Sequence, residues 1–136
     1  MRRQKILVVD DSVIALDLAR MRLEEAGFEV ETLDSPFGFS AALRAQMPDL
    51  VLLDVSMPAL QGDRLLQIAH RYVNSSPSPH GAATSQRRCP IVLYSDRPEA
   101  DLRQLADSCG ADGYVRKTSN FQHIIETIHK LLAKSR

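Results

Sequence analysis

Three short runs of the chain are apolar at every position and rich in branched side chains: Ile6 to Val9, Leu50 to Leu53 and Ile91 to Tyr94. A strand that buries one face alternates apolar with polar residues, whereas a run with no polar position has both faces covered. Interior strands of a parallel sheet meet that condition, because parallel neighbours are joined by crossovers that lay helices over both faces. The runs therefore predict the interior of a parallel α/β sheet. Two more polar segments read as edge strands: Phe28 to Leu33, which alternates in part, and Gly113 to Arg116.

Helical patterns fill the intervals. Ser12 predicts the cap of a helix from about Val13 to Ala26 that stops at Gly27, with Ile14, Leu18, Met21 and Leu23 among its apolar positions. Ser35 and Pro36 predict the cap and first residue of a second helix, ending before Pro48. A third is expected over about Asp63 to Val73, a fourth over about Pro98 to Cys109 with Gly110 as terminator, and a fifth over about Asn120 to Ala133. The alternation is a (βα)5 chain, and right-handed crossovers make it a doubly wound three-layer sandwich. With the polar strands at its edges, the five-stranded parallel sheet takes the order 2-1-3-4-5, a flavodoxin-like arrangement. Ligands of such sheets bind beyond the carboxyl ends of the strands, near the switch between strands 1 and 3.

Composition narrows what that sheet end can do. The 136 residues, 44% of them hydrophobic, are enough for one domain and one core without metal or disulfide staples, so a single domain over 1–136 is expected. Lys plus Arg (17) equals Asp plus Glu (17), which removes the broad basic surface of a nucleic-acid or anionic-membrane binder. No apolar run approaches the roughly 20 residues of a membrane span. The basic start, Met1 to Lys5, meets four apolar residues and then two aspartates, which is no signal peptide, so a cytoplasmic location is expected. Cys89 and Cys109 lack the spacing of a zinc site or disulfide framework and read as thiols of a reducing compartment. His70, His80, His123 and His129 show no ligand spacing. The polar, proline-containing stretch from Asn74 to Arg88 predicts a long loop over about 74–90, an insertion between helix and strand.

The strand ends carry the chemistry. Strand 1 delivers Asp10 and Asp11, strand 3 Asp54, strand 4 Ser95, and Lys117 follows strand 5. Crowded carboxylates raise one another's pKa unless a cation offsets the repulsion. A hard divalent ion with oxygen ligands, Mg2+ or Mn2+, suits the set. Singly, each residue has a plain role: helix capping for Asp-Asp-Ser, a turn for the strand-ending aspartate, a solvated surface charge for the lysine. Their convergence on one sheet end sets them apart.

The segments Ile6-Leu7-Val8-Val9-Asp10-Asp11-Ser12, Leu50-Val51-Leu52-Leu53-Asp54-Val55-Ser56-Met57-Pro58 with Gly62, Ile91-Val92-Leu93-Tyr94-Ser95, and Gly110-Ala111-Asp112-Gly113-Tyr114-Val115-Arg116-Lys117 give the chain a further identity. From Lys5 to Lys134 it resembles the receiver domains of bacterial two-component response regulators. A chemotaxis receiver is itself a known instance of the 2-1-3-4-5 order, so the resemblance carries that order as much as the edge polarity does. The resemblance implies that Asp54 accepts a phosphoryl group from a phosphohistidine of a histidine kinase or phosphotransfer protein, giving an acyl phosphate. It implies that Asp11, Asp54 and the backbone carbonyl of Ser56 ligate the metal, that Asp10 acts largely through water, and that Lys117 neutralises charge on the transferring group. Ser95 would then bond a phosphoryl oxygen and Tyr114 would turn inward. The face built from the fourth helix, fifth strand and fifth helix would so change its binding to a downstream effector. Such a domain takes part in its own phosphorylation and dephosphorylation without being a turnover enzyme.

Three departures from the family pattern stand out. Thr118 follows Lys117 where receivers carry proline, often in cis; a non-proline cis bond costs about 2.5–4 kcal/mol, so a trans joint is expected. Asp96 and Arg97 follow Ser95 where a small residue is usual; Asp96 would repel phosphate, obstruct entry or orient a water, or do none of these if it points to solvent. Asp54 and Ser95 lie 41 residues apart, about ten more than the resemblance implies, and the excess falls in the polar loop. That loop is either a surface excursion or a docking element through Arg87 and Arg88. Two other functions compete. A receiver-like interaction module that is not phosphorylated fits Asp96 and Thr118. A phosphohydrolase with an aspartate nucleophile is opposed by Ser56, which stands where a second acid is needed. The chain stops at Arg136, soon after the fifth helix, so no effector domain is expected within it, whether it stands alone or is part of a longer regulator.

Overall fold

Pairing of the apolar runs builds the sheet. The computed structural model describes residues 3–35, 37–56, 89–117 and 120–134. Its strands are β1 (Lys5–Val9), β2 (Glu29–Leu33), β3 (Leu50–Asp54), β4 (Ile91–Ser95) and β5 (Gly113–Arg116), all parallel, in the order β2-β1-β3-β4-β5. The three fully apolar runs occupy the three interior positions and the two polar segments the edges. The helices among the described residues are α1 (Val13–Glu25), α2 (Phe39–Gln46), α3 (Glu99–Cys109) and α4 (Phe121–Lys134). The helix expected over 63–73, nearly all of the loop expected over 74–90, and Thr118 lie outside the described residues.

Alternation along each strand divides the core in two. Leu7, Val9, Val51, Leu53, Ile91 and Leu93 face Phe39 and Leu43 of α2 and Leu102 and Ala106 of α3. Ile6, Val8, Leu50, Leu52, Val92, Tyr94 and Val115 face Leu16, Ala19 and Leu23 of α1 and Ile124, Ile128 and Leu132 of α4. Most of these strand residues are inaccessible to solvent. Each large aliphatic side chain so buried contributes about 1.5–3 kcal/mol, which makes the two layers the main source of cohesion.

Polar ties fix the sheet at its base and at its β2 edge. The backbone N–H of Lys5 donates to Asp49 Oδ2 at 2.7 Å, and its ammonium reaches Gln46 O at 3.1 Å and Glu29 at 3.4 Å. Arg20 of α1 donates to Val30 O at 3.1 Å and to Thr32 Oγ1 at 3.3 Å.

Two expectations about helices need correction. Ser12 caps α1 as expected, its Oγ accepting from Ala15 N at 3.2 Å, and Gly27 ends it at φ 98. Yet Ile14, Leu18 and Met21 are 82%, 47% and 49% exposed, and only Leu23 of the four cited apolar positions faces the core. The buried stripe is Leu16, Ala19 and Leu23, half a turn away. α2 does not start at Ser35: that hydroxyl accepts from Phe37 N at 3.1 Å in a local turn, and the helix begins at Phe39 behind Gly38, whose φ of 83 no proline-started helix would require.

Candidate functional site

Parallel strands end level with one another, so residues just past β1, β3 and β4 meet on one rim. Val9 pairs with Leu53 and Asp54 with Tyr94, which sets Asp10, Asp54 and Tyr94 side by side on the face that carries α1 and α4. Asp10 and Asp54 are buried while Asp11 is exposed. A carboxylate oxygen of each lies within 4.8 Å of the others, and among the described residues this is the group of acids so placed.

Local turns aim the acids. Asp10 Oδ1 accepts from Ser12 N at 2.9 Å and Asp54 Oδ1 from Ser56 N at 2.7 Å. Each aspartate so forms a turn with the backbone two residues on, a property of this side chain. The remaining oxygens share one cation. Lys117 Nζ donates to Asp10 Oδ2 at 3.0 Å and to Asp54 Oδ2 at 3.2 Å. The lysine's backbone is fixed by Lys117 N to Ser95 O, 2.9 Å, the last bond between β4 and β5.

The electrostatics follow from this burial. Desolvation pushes the Asp54 carboxyl above the ordinary carboxylate range; the Ser56 N–H opposes it, Asp10 adds to it and the Lys117 ammonium opposes it. For Lys117, burial works against the charged form, but the hydrogen bond to Asp10 and the charges of Asp54 and Asp10 outweigh it, so its pKa is raised and it is charged at neutral pH. Two buried acids and one exposed acid thus face one ammonium. The donor set is all carboxylate oxygen with one acid open to solvent, which fits a hard divalent cation.

Ser95, also fully buried, makes its side-chain hydrogen bonds elsewhere than to Asp54. Its Oγ lies 2.9 Å from Ser56 Oγ and accepts from Arg97 N at 3.0 Å. Asp96 is exposed and outside the acidic group. Tyr114 is apart from the pocket: its ring packs on the core beneath α3 and its hydroxyl accepts from Arg103 Nε at 3.3 Å. Arg116 Nε in turn donates to Arg97 O at 3.1 Å, joining the end of β5 to the loop after β4.

The geometry adds two groups that sequence reasoning did not assign. The Ser56 side chain engages Ser95, and the Lys117 ammonium lies 5.0 Å from the centroid of the Tyr94 ring. Tyr94 did leave a signal, since it is the one residue with a polar tip in an aliphatic run and stands directly before Ser95. Burial foremost raises the pKa of its phenol.

Comparison with known proteins agrees with the fold. The chain is 29% identical over 97% of its length to the phosphate regulon transcriptional regulatory protein PhoB of Rhizobium meliloti, covering 53% of that protein. It is 31% identical over 96% of its length to a transcriptional regulatory protein CpxR homolog of Haemophilus influenzae, covering 51% of it. The chain thus spans about half the length of these relatives. The crystal structure of a CheY-like response regulator receiver domain protein from Methanospirillum hungatei superposes with a TM-score of 0.78 at 25% identity, over 98% of this chain and 97% of that one. The model of the response regulator receiver domain matches residues 6–129, nearly the whole chain, and the chain belongs to the response regulator receiver family.

Proposed function

We propose that this receiver accepts a phosphoryl group on Asp54 from a phosphohistidine of a histidine kinase or phosphotransfer protein and acts as a two-component switch. The observation that carries the reading is Lys117 bridging Asp10 and Asp54 inside a three-acid group. An Asp54 oxygen attacks phosphorus, the P–N bond to the donor imidazole breaks, and the released imidazole nitrogen takes up a proton. The Ser56 N–H orients the attacking carboxylate, and the Lys117 ammonium, already at Asp54, neutralises charge on the transferring group. Asp10, Asp11, Asp54 and the Ser56 carbonyl are the residues that would hold Mg2+ or Mn2+, Asp10 through water. Bound there, the ion supplies further charge neutralisation.

The readout runs through Ser95. To bond a phosphoryl oxygen its hydroxyl turns its one proton toward that oxygen, leaving Ser95 Oγ to accept from Ser56 Oγ and from Arg97 N, and Arg97 is tied in turn to Arg116. That couples the site to α3 and β5, where Tyr114 is held by Arg103. The face of α3, β5 and α4 is therefore the effector-binding surface, with protein rather than nucleic acid as its partner. The chain acts as a switch and not as a turnover enzyme, in the cytoplasm where a histidine kinase presents its phosphohistidine. No helix among the described residues is long and apolar enough to cross a membrane. We take residues 1–136 as one domain with the polar stretch 74–90 as an insertion.

The donor surface is marked by α1. Val13 and Ile14, 62% and 82% exposed, open an apolar stripe that starts at the pocket rim and continues through Leu18 and Met21. Its continuity with the acidic pocket favours a helix of the phosphohistidine protein as its occupant. The double substitution Ile14→Glu with Leu18→Glu should slow transfer from that protein by about tenfold or more. Labelling by a small acyl phosphate should not change. Equal slowing with both donors would remove α1 from donor recognition.

Incubation with Mg2+ and a small acyl-phosphate donor tests the core claim. The expected result is a single phosphoryl adduct by mass spectrometry, mapped to Asp54. Failure to form it despite measured Mg2+ binding would favour the interaction module, and sustained turnover of phosphomonoesters would favour the hydrolase.

A further inference from the structure

β4 sends Ile91 and Leu93 into the core beneath α2 and α3, and Val92 and Tyr94 into the core beneath α1 and α4. Tyr94 is the member of the second set nearest the site. It pairs in register with Asp54 on one side and Val115 on the other. Its ring therefore lies between the strand that delivers the acceptor and the strand that delivers the lysine. The 5.0 Å from Lys117 Nζ to the ring centroid falls within the roughly 6 Å over which an aromatic face attracts a cation. With Tyr94 only 7% exposed, little water competes for that face.

We propose that Tyr94 is a positioning residue for Lys117, its ring face being a fixed seat that keeps the ammonium at the phosphoryl site while the lysine's carboxylate partners change. This rests on the phosphoacceptor reading and deepens it. Both ionic partners of Lys117 are groups the reaction alters: Asp54 becomes an acyl phosphate, and Asp10 belongs to the cation set. The ring is altered by neither event. An aliphatic residue at 94 would keep the position apolar but has no π face.

The test pairs a spectroscopic signature with a rate. In the metal-free protein with 13C-labelled lysine, the Lys117 side-chain protons should be displaced upfield by the ring in wild type and Tyr94→Phe, and should return to ordinary positions in Tyr94→Leu and Tyr94→Met. With Mg2+ and a small acyl phosphate, Tyr94→Phe should be phosphorylated at about the wild-type rate, and the two aliphatic variants about tenfold more slowly with Mg2+ affinity unchanged. Absence of the ring displacement in wild type overturns the proposal without needing any variant to fold. So does a wild-type rate in either aliphatic variant, or a Tyr94→Phe rate as slow as theirs. Should wild type show the ring displacement yet form no adduct, the phosphoacceptor reading fails while the seat for the ammonium stands.

Discussion

Asp54→Asn is expected to abolish the phosphoryl adduct and, in the absence of divalent cations, to make the protein more stable at neutral pH. The two effects have one cause. Asp54 is buried beside Asp10, and desolvation holds its pKa above the ordinary 3.8, so the fold prefers a neutral group there. A carboxyl with a raised pKa contributes stability that is fully present below pH 3.8 and is lost as pH rises through its folded value. Asparagine keeps the acceptor oxygen for the Ser56 N–H and never ionises. Its advantage should be present near pH 7 and should vanish as the pH is lowered toward 4. Urea unfolding of both proteins across that range, with chelator, reads it directly. An asparagine variant less stable than wild type at pH 7 would mean that the Lys117 pairing outweighs the burial of the acid.

Lys117→Met should slow acceptance from a small acyl phosphate by about 10²–10³-fold, the scale at which removing one preorganised electrostatic group registers in a reaction of this kind. Methionine keeps most of the side-chain length and the contact with Tyr94 but carries no charge. Asp10 and Asp54 would then face each other with no ammonium between them. Removing one partner of a buried ion pair costs about 3 kcal/mol, and added Mg2+ should restore much of that loss. The wild-type contribution should be insensitive to pH across the neutral range. A lysine with a raised pKa contributes fully below 10.5 and loses its effect only as pH rises through its folded value. The decay of unphosphorylated protein, followed by mass against time, measures the rate. A variant within a few-fold of wild type would show that the divalent ion alone supplies the charge neutralisation.

The sheet and most of the site were readable from sequence because each rests on a local rule. Continuous apolar runs place β1, β3 and β4 inside, and parallel strands of nearly equal length bring Asp10, Asp54, Ser95 and Lys117 to one rim. What escaped depends on tertiary choice. α1 is apolar on opposite faces, so periodicity alone could not select Leu16, Ala19 and Leu23 over Ile14, Leu18 and Met21. Ser35 had two uses available to its hydroxyl, a cap or a turn, and Phe37 took it. The Ser56 to Ser95 contact joins residues 39 apart in sequence. The Tyr94 ring beneath Lys117 likewise depends on how β4 and β5 align, a register no local pattern encodes.

The Arg20 guanidinium has a consequence beyond α1. A sheet with open edges offers a template to which another chain can add a strand. By occupying the Val30 carbonyl and the Thr32 hydroxyl of β2, Arg20 puts a charge where an incoming strand would have to bond. Any chain that aggregated through this edge would first have to displace the guanidinium, so the β2 border of the sheet is guarded.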